Sequence, residues 1–138
     1  IEERAGADIP WIFDVEGEEG FRNREANIID ILSAEDNQVL ATGGGAVLRS
    51  DNRSNLQGRG TVVYLQASVA QQLERTSRDK NRPLLQTPDP SVVLHALMEQ
   101  RHPLYIQVAD VVVDTERRNP KAVVNDIIAE LRAQQIVK

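Results

Sequence analysis

The sequence predicts an α/β fold, a three-layer sandwich around a mainly parallel sheet, and three observations carry that expectation. Apolar, β-branched runs at 38–42, 61–66 and 109–115 alternate along the chain with segments of helical pattern. Helix-start chemistry follows the runs, with Ser68 before one helix, Ser91 before the next, and Asn119 with Pro120 before the last. Three consecutive glycines, Gly43, Gly44 and Gly45, close the first run. Open parallel sheets bind ligands at the carboxyl ends of their strands. Three strands are few for so many helices, and parallel sheets are covered on both faces, so further strands are expected.

The elements follow in order. IEERAG, 1–6, reads as the last turn of a helix closed by Gly6, which leads to the expectation that sequence precedes Ile1. IPWIFDV, 9–15, suits a short helix with Pro10 in its first turn. EEGFRNREANIIDILS, 18–33, spaces Phe21, Ile28, Ile29 and Leu32 as one face of an amphipathic helix. Gln38–Thr42 reads as a buried strand, 51–57 as a short helix ended by Gly58 and Gly60, and TVVYLQ as a strand. A helix runs from Ser68 to about residue 78. Residues 79–90 hold three prolines and form a loop. The helix at 91–101 is expected to stop at Pro103. ADVVVDT is a strand, and the helix capped by Asn119 completes the chain.

Composition bounds the function. The 138 residues are 41% apolar and 27% charged, enough for one domain (1–138) with a real core. A net charge of −5 argues against nucleic acid held by bulk electrostatics. With no cysteine, disulfides and thiolate metal sites are excluded. No apolar run nears the ~18 residues of a membrane span, and no signal-peptide pattern appears, so a soluble cytoplasmic protein is expected.

Several positions could carry chemistry. The glycine triplet either makes a tight turn needing positive φ or lets its backbone approach an anion or hydroxyl with no Cβ in the way. Arg22 and Glu25 lie three apart on one helical face. They are a surface ion pair, or Glu25 orients Arg22 toward a carboxylate or phosphate. Arg75, Arg78, Lys80 and Arg82 gather at a proline-bearing loop, which is either a solvated basic loop or a lid delivering cations to a phosphoryl group. Arg101 complements its helix dipole or binds an anion. Arg117 and Arg118 follow the last strand, exposed or stacked on a base. Trp11 and Phe13 read first as packing residues, His95 as a peripheral core residue and His102 as a surface one. No set of residues has metal-ligand spacing, and no nucleophile motif occurs.

Taken in order, FDVEGEEGFRNRE, VLATGGGAV, RDKNRPLL, RHPLY and RRNP resemble the shikimate kinase family across essentially the whole chain. The resemblance implies a P-loop phosphotransferase of the nucleoside-monophosphate-kinase type, with sheet order 2-3-1-4-5. Members transfer phosphate from ATP, with Mg²⁺, to the 3-hydroxyl of shikimate in chorismate and aromatic amino-acid biosynthesis, and are usually monomeric. It implies that Arg22 and Arg101 bind the shikimate carboxylate and that Gly44, flanked by Gly43 and Gly45, meets the hydroxyl side. Phe13, Phe21 and Glu25 line or support the pocket. Arg82, on a lid at about 77–90, faces the transferring phosphate as the catalytic arginine. Arg75 and Arg118 border the adenine. The family's first two strands, first helix, GxxxxGK[ST] loop and Asp-x-Asp pair do not occur in the sequence, so no metal ligand is expected in it. This chain alone is expected to be poorly stable and to lack useful kinase activity. A gluconate-type sugar kinase and a non-catalytic metabolite- or partner-binding paralogue are the alternatives.

Overall fold

A computed structural model describes residues 1–77 and 82–136. Helix α1, Glu2–Ala5, ends at Gly6, whose φ of 71° is the left-handed cap that glycine supplies without steric cost. Helix α2, Ile9–Ser33, starts where the Asp8 carboxylate accepts from Trp11 N–H. It unites the two segments expected at 9–15 and 18–33, with a bend at Gly17 between them. The glycine triplet leads into a 3₁₀ turn, Gly44–Leu48, and then helix α3, Ser50–Arg59. Strand β1, Val63–Gln66, is followed by helix α4, Val69–Thr76, capped by Ser68 accepting from Gln71 N–H. A 3₁₀ turn at Pro83–Leu85 precedes helix α5, Pro90–Val108. Strand β2, Val111–Asp114, and helix α6, Pro120–Ala133, capped by Asn119, follow.

β1 and β2 pair in parallel, with Val63 opposite Val111 and Gln66 opposite Asp114. Alternation along the strands sends their side chains to two layers. Val63, Val111 and Val113 meet Val123, Ile127 and Leu131 of α6 on one face. Tyr64 turns the other way, to Met98, His102 and Tyr105 of α5. The sheet therefore lies between α6 and α5, the layered α/β arrangement expected, and its strands are the neighbours that the order 2-3-1-4-5 places last.

Three expectations are corrected. Residues 38–42 form no strand, and Val39 is fully exposed. An apolar run becomes a strand only where a neighbour accepts and donates along its backbone, and among the described residues none lies beside it. Asp89, not Ser91, caps α5. Its carboxylate accepts from both the backbone N–H and the hydroxyl of Ser91, with Pro90 at the first helical position. Pro103 does not end that helix. It removes one N–H from the ladder, yet the helix continues to Val108, where Tyr105 and the buried Val108 anchor the extra turn. Of the expected lid, residues 78–81, including Arg78 and Lys80, lie outside the described residues.

A groove of about 360 Å³ runs between α1, α2 and residues 40–43. Ile9, Ile28, Ile29, Leu32 and Leu40 line it, and its floor reaches Glu25 and Gly43.

Candidate functional site

The bent helix α2 supplies one wall of the site. Phe13 and Phe21 stack with centroids 4.8 Å apart, and the Arg22 guanidinium lies 5.1 Å from the Phe21 ring centre. Arg22 Nη1 donates to Glu25 Oε1 at 2.9 Å. Both side chains are nearly buried, at 11% and 6% exposed. A second carboxylate, Glu18, stands 3.6 Å from Arg22 and is much more open to water. The Arg22–Glu25 pair is therefore a buried one, not a surface pair.

The glycine triplet supplies the facing wall. Neither Gly43, at φ −69°, nor the other two has positive φ. What they provide is closeness. A Cβ on Gly45 would lie 2.3 Å from an Arg22 guanidinium nitrogen, and one on Gly44 would lie 2.7 Å from the Tyr105 hydroxyl and 3.2 Å from Arg101 Nη1. At Gly43 a Cβ would make only an ordinary 3.7 Å contact with Glu25 Oε2. The turn is fastened from α3: Asn52 Nδ2 donates to the Ala46 carbonyl at 3.0 Å and Arg53 Nη1 to the Val47 carbonyl at 2.7 Å.

Helix α5 supplies the third wall. Arg101 and Tyr105, four apart, share a face toward the triplet. The Tyr105 hydroxyl donates to the Gly44 carbonyl at 2.8 Å. Burial pushes the Tyr105 hydroxyl above its ordinary pKa, and the neighbouring Arg101 and Arg22 guanidiniums pull part of that back. Tyr64 is raised by burial as well, with the nearby Tyr105 adding to it. Its ring lies 4.8 Å from that of Tyr105, and its hydroxyl is 3.0 Å from His102 Nδ1. His102 is thus half-buried against β1, not a surface residue, while His95 is exposed. Arg101 is buried, and among the described residues no carboxylate pairs with it. Its Nε–H, like that of Arg22, is buried with no hydrogen-bond acceptor in reach among them.

Arg75 and Arg118 lie elsewhere, past the carboxyl ends of the two strands. Arg75 donates to Thr115 Oγ1 and to the Thr115 carbonyl, both at 3.0 Å. Arg118 is drawn back to α6 by Asp126 at 2.8 Å. Arg82 is exposed at the start of the Pro83–Leu85 turn. Sequence reasoning missed Tyr105 and Tyr64. The signal for Tyr105 was present in its four-residue spacing from Arg101; for Tyr64 nothing local distinguished it from a packing residue.

Among the described residues, no group of three His, Cys, Asp or Glu could hold a metal ion. No helix among them is long and apolar enough to cross a membrane.

Fold and site define a parallel-sheet α/β protein whose cationic pocket is walled by two helices and a glycine turn. The family model described as shikimate kinase matches residues 1–132. A shikimate kinase of Pseudomonas paraeruginosa is 58% identical over 132 residues, covering 96% of this chain and 77% of that protein. One of Chromohalobacter salexigens is 60% identical over 128 residues, covering 93% and 71%. Among solved structures, shikimate kinase from Acinetobacter baumannii in complex with shikimate superposes with a TM-score of 0.91 at 44% identity, covering 99% of this chain and 76% of that one. The Aquifex aeolicus enzyme gives 0.81 at 33%, covering 97% and 77%. The chain belongs to the shikimate kinase family, transferases that phosphorylate shikimate.

Proposed function

We propose that this chain carries the shikimate-binding site of an ATP-dependent kinase that phosphorylates the shikimate 3-hydroxyl, and that Arg22 and Arg101 grip the shikimate carboxylate. The observation that carries this reading is Arg101. A buried guanidinium with no carboxylate partner among the described residues is costly, by several kcal/mol in general, until a negative charge arrives. A small carboxylic acid delivers that charge. Arg22 is arranged differently: Glu25 already holds it, which fixes its plane for two parallel hydrogen bonds.

The other groups follow from their placement. Phe13 and Phe21 offer an apolar face for the carbon ring, and the cation over Phe21 stiffens that face. Gly43, Gly44 and Gly45 let the backbone come close to the hydroxyl side, and Tyr105 holds the Gly44 carbonyl in place. When bound, ATP supplies the transferring phosphoryl group. Arg82, on a lid spanning about 77–90, closes toward that group and stabilises its spreading negative charge. Arg75, held by Thr115, and Arg118, held by Asp126, present guanidinium faces for the adenine. Among the described residues no group of three His, Cys, Asp or Glu fits Mg²⁺.

Calorimetric titration of the chain with shikimate tests the assignment. Arg22→Ala and Arg101→Ala are expected to weaken shikimate binding by about 100-fold, the loss of a charged hydrogen-bond pair, with the folded state checked by circular dichroism. Shikimate binding that ignores both substitutions would refute it.

A further inference from the structure

Helix α2 is folded on itself at one residue. Gly17 has φ 73° and ψ 177°, a conformation open essentially to glycine alone. Two pairs of side chains meet across the bend. Phe13 meets Phe21 with ring centres 4.8 Å apart, and Glu16 meets Arg24 in a two-pronged ion pair. Arg24 Nε donates to one carboxylate oxygen and Nη2 to the other, both at 2.7 Å. Each pair is separated by eight residues, which a straight helix would space about 12 Å apart along its axis. Both contacts therefore exist only because the helix bends. Gly20 makes the approach possible: a Cβ there would lie 2.5 Å from Glu16 Cβ. Glu16 and Phe13 are three apart on the short arm, and Arg24 and Phe21 are three apart on the long arm. The ion pair and the aromatic pair are two ties across one hinge, and they must move together.

We infer that Glu16 and Arg24 are a positioning pair: their bidentate bridge sets the angle at Gly17, and that angle seats Phe13 against Phe21 beside Arg22. An isolated surface ion pair contributes little to stability. Here the pair acts on a hinge that glycine leaves soft, so its effect falls on geometry. Neither residue touches the pocket; both act through Phe13. The Arg24 hydrogen bond holds the Glu16 carboxyl below its ordinary pKa. The inference rests on Phe13 and Arg22 belonging to the shikimate pocket.

The test separates the two claims. Trp11, the sole tryptophan, lies on the short arm and is 57% exposed, so moving that arm changes how much of its ring meets water and shifts its emission without any ligand. Arg24→Met and Glu16→Gln are each expected to shift Trp11 emission and to weaken shikimate binding about tenfold, a displacement effect. Their melting temperatures stay within about 4 °C of the parent. Arg24→Lys, which keeps charge but one prong, falls between. The charge-swapped Glu16→Arg, Arg24→Glu double variant recovers most of the lost affinity. Unchanged Trp11 emission in both single variants overturns the hinge role. Changed emission with affinity within about twofold overturns the link to the pocket, as does a swap no better than the single variants. If the parent chain does not bind shikimate, the pocket reading fails, while the emission shift still decides whether the pair sets the bend.

Discussion

Gly45 and Arg22 are in contact that only hydrogen permits: a Cβ at residue 45 would lie 2.3 Å from one guanidinium nitrogen and 2.4 Å from the guanidinium carbon. The guanidinium cannot retreat freely, because Glu25 holds it and Phe21 lies beneath it. The pressure of an added methyl therefore falls on the group assigned to the substrate carboxylate.

Gly45→Ala is expected to destabilise the chain by about 1–3 kcal/mol, the usual cost of overpacking, and to reduce shikimate affinity by more than stability alone would explain. Gly43→Ala, whose Cβ meets only an ordinary 3.7 Å contact, is expected to change stability by less than about 0.5 kcal/mol. Gly44→Ala collides with the Tyr105 hydroxyl, so Tyr105→Phe relieves part of its cost. Chemical denaturation of the singles and of the Gly44→Ala, Tyr105→Phe double variant reads this as a coupling energy, and strict additivity would contradict it.

Arg22 has two acidic neighbours of different burial, which makes a matched comparison. Glu25→Ala leaves a nearly buried guanidinium without its principal counter-charge and is expected to cost about 3 kcal/mol. Glu18→Ala removes a 3.6 Å, largely solvated partner and is expected to cost less than about 0.5 kcal/mol. Urea unfolding midpoints of the two variants decide; equal losses would mean that burial does not govern this pair.

The apolar groove beside α1 makes a separate prediction. Half-buried Ile28, Leu32 and Leu40 face a space of about 360 Å³ in contact with solvent. An environment-sensitive apolar dye is expected to bind the native chain with enhanced, blue-shifted emission. Leu32→Lys, which puts a charge in the groove, is expected to reduce that emission without unfolding the chain, checked by circular dichroism. A dye signal unaffected by Leu32→Lys would place the exposed apolar surface elsewhere.

Much of the fold was legible because local chemistry wrote it. Ser68 and Asn119 each accept from a backbone N–H three residues on, Gly6 closes its helix in the left-handed region, and both β-branched runs at 61–66 and 109–115 contain strands. The failures are non-local or competitive. The run at 38–42 has strand composition, but a strand is a property of two segments and a ladder. Asp89 outcompetes Ser91 because a carboxylate accepts from two donors at once. Pro103 sits inside a helix because contacts made by Tyr105 and Val108 outweigh one missing hydrogen bond. In the site, the Arg22–Glu25 spacing was readable along one helix face. The purpose of the triplet was not, because it depends on guanidiniums from α2 and α5 approaching from afar, and no local pattern separates a close approach from a positive-φ turn. Tyr105 reaches Gly44 across 61 residues of chain, a pairing that no window of sequence contains.

The two stacked tyrosines predict an alkaline limit. Burial raises the pKa of both Tyr64 and Tyr105 above the ordinary value of 10.0. The unfolded chain therefore loses these protons at lower pH than the folded chain does. The stability conferred by keeping both hydroxyls neutral is complete below about pH 10 and is lost as pH rises through the folded values. Urea midpoints measured from about pH 9 to pH 11 are expected to fall across this window. Ultraviolet absorbance should show tyrosinate forming later in the native chain than in the urea-unfolded chain. Tyr64→Phe keeps the ring contact with Tyr105 and removes one of the two titrating groups, so its midpoints should fall less steeply. If that variant declines as steeply as the parent, the burial of the Tyr64 hydroxyl contributes nothing to the alkaline limit.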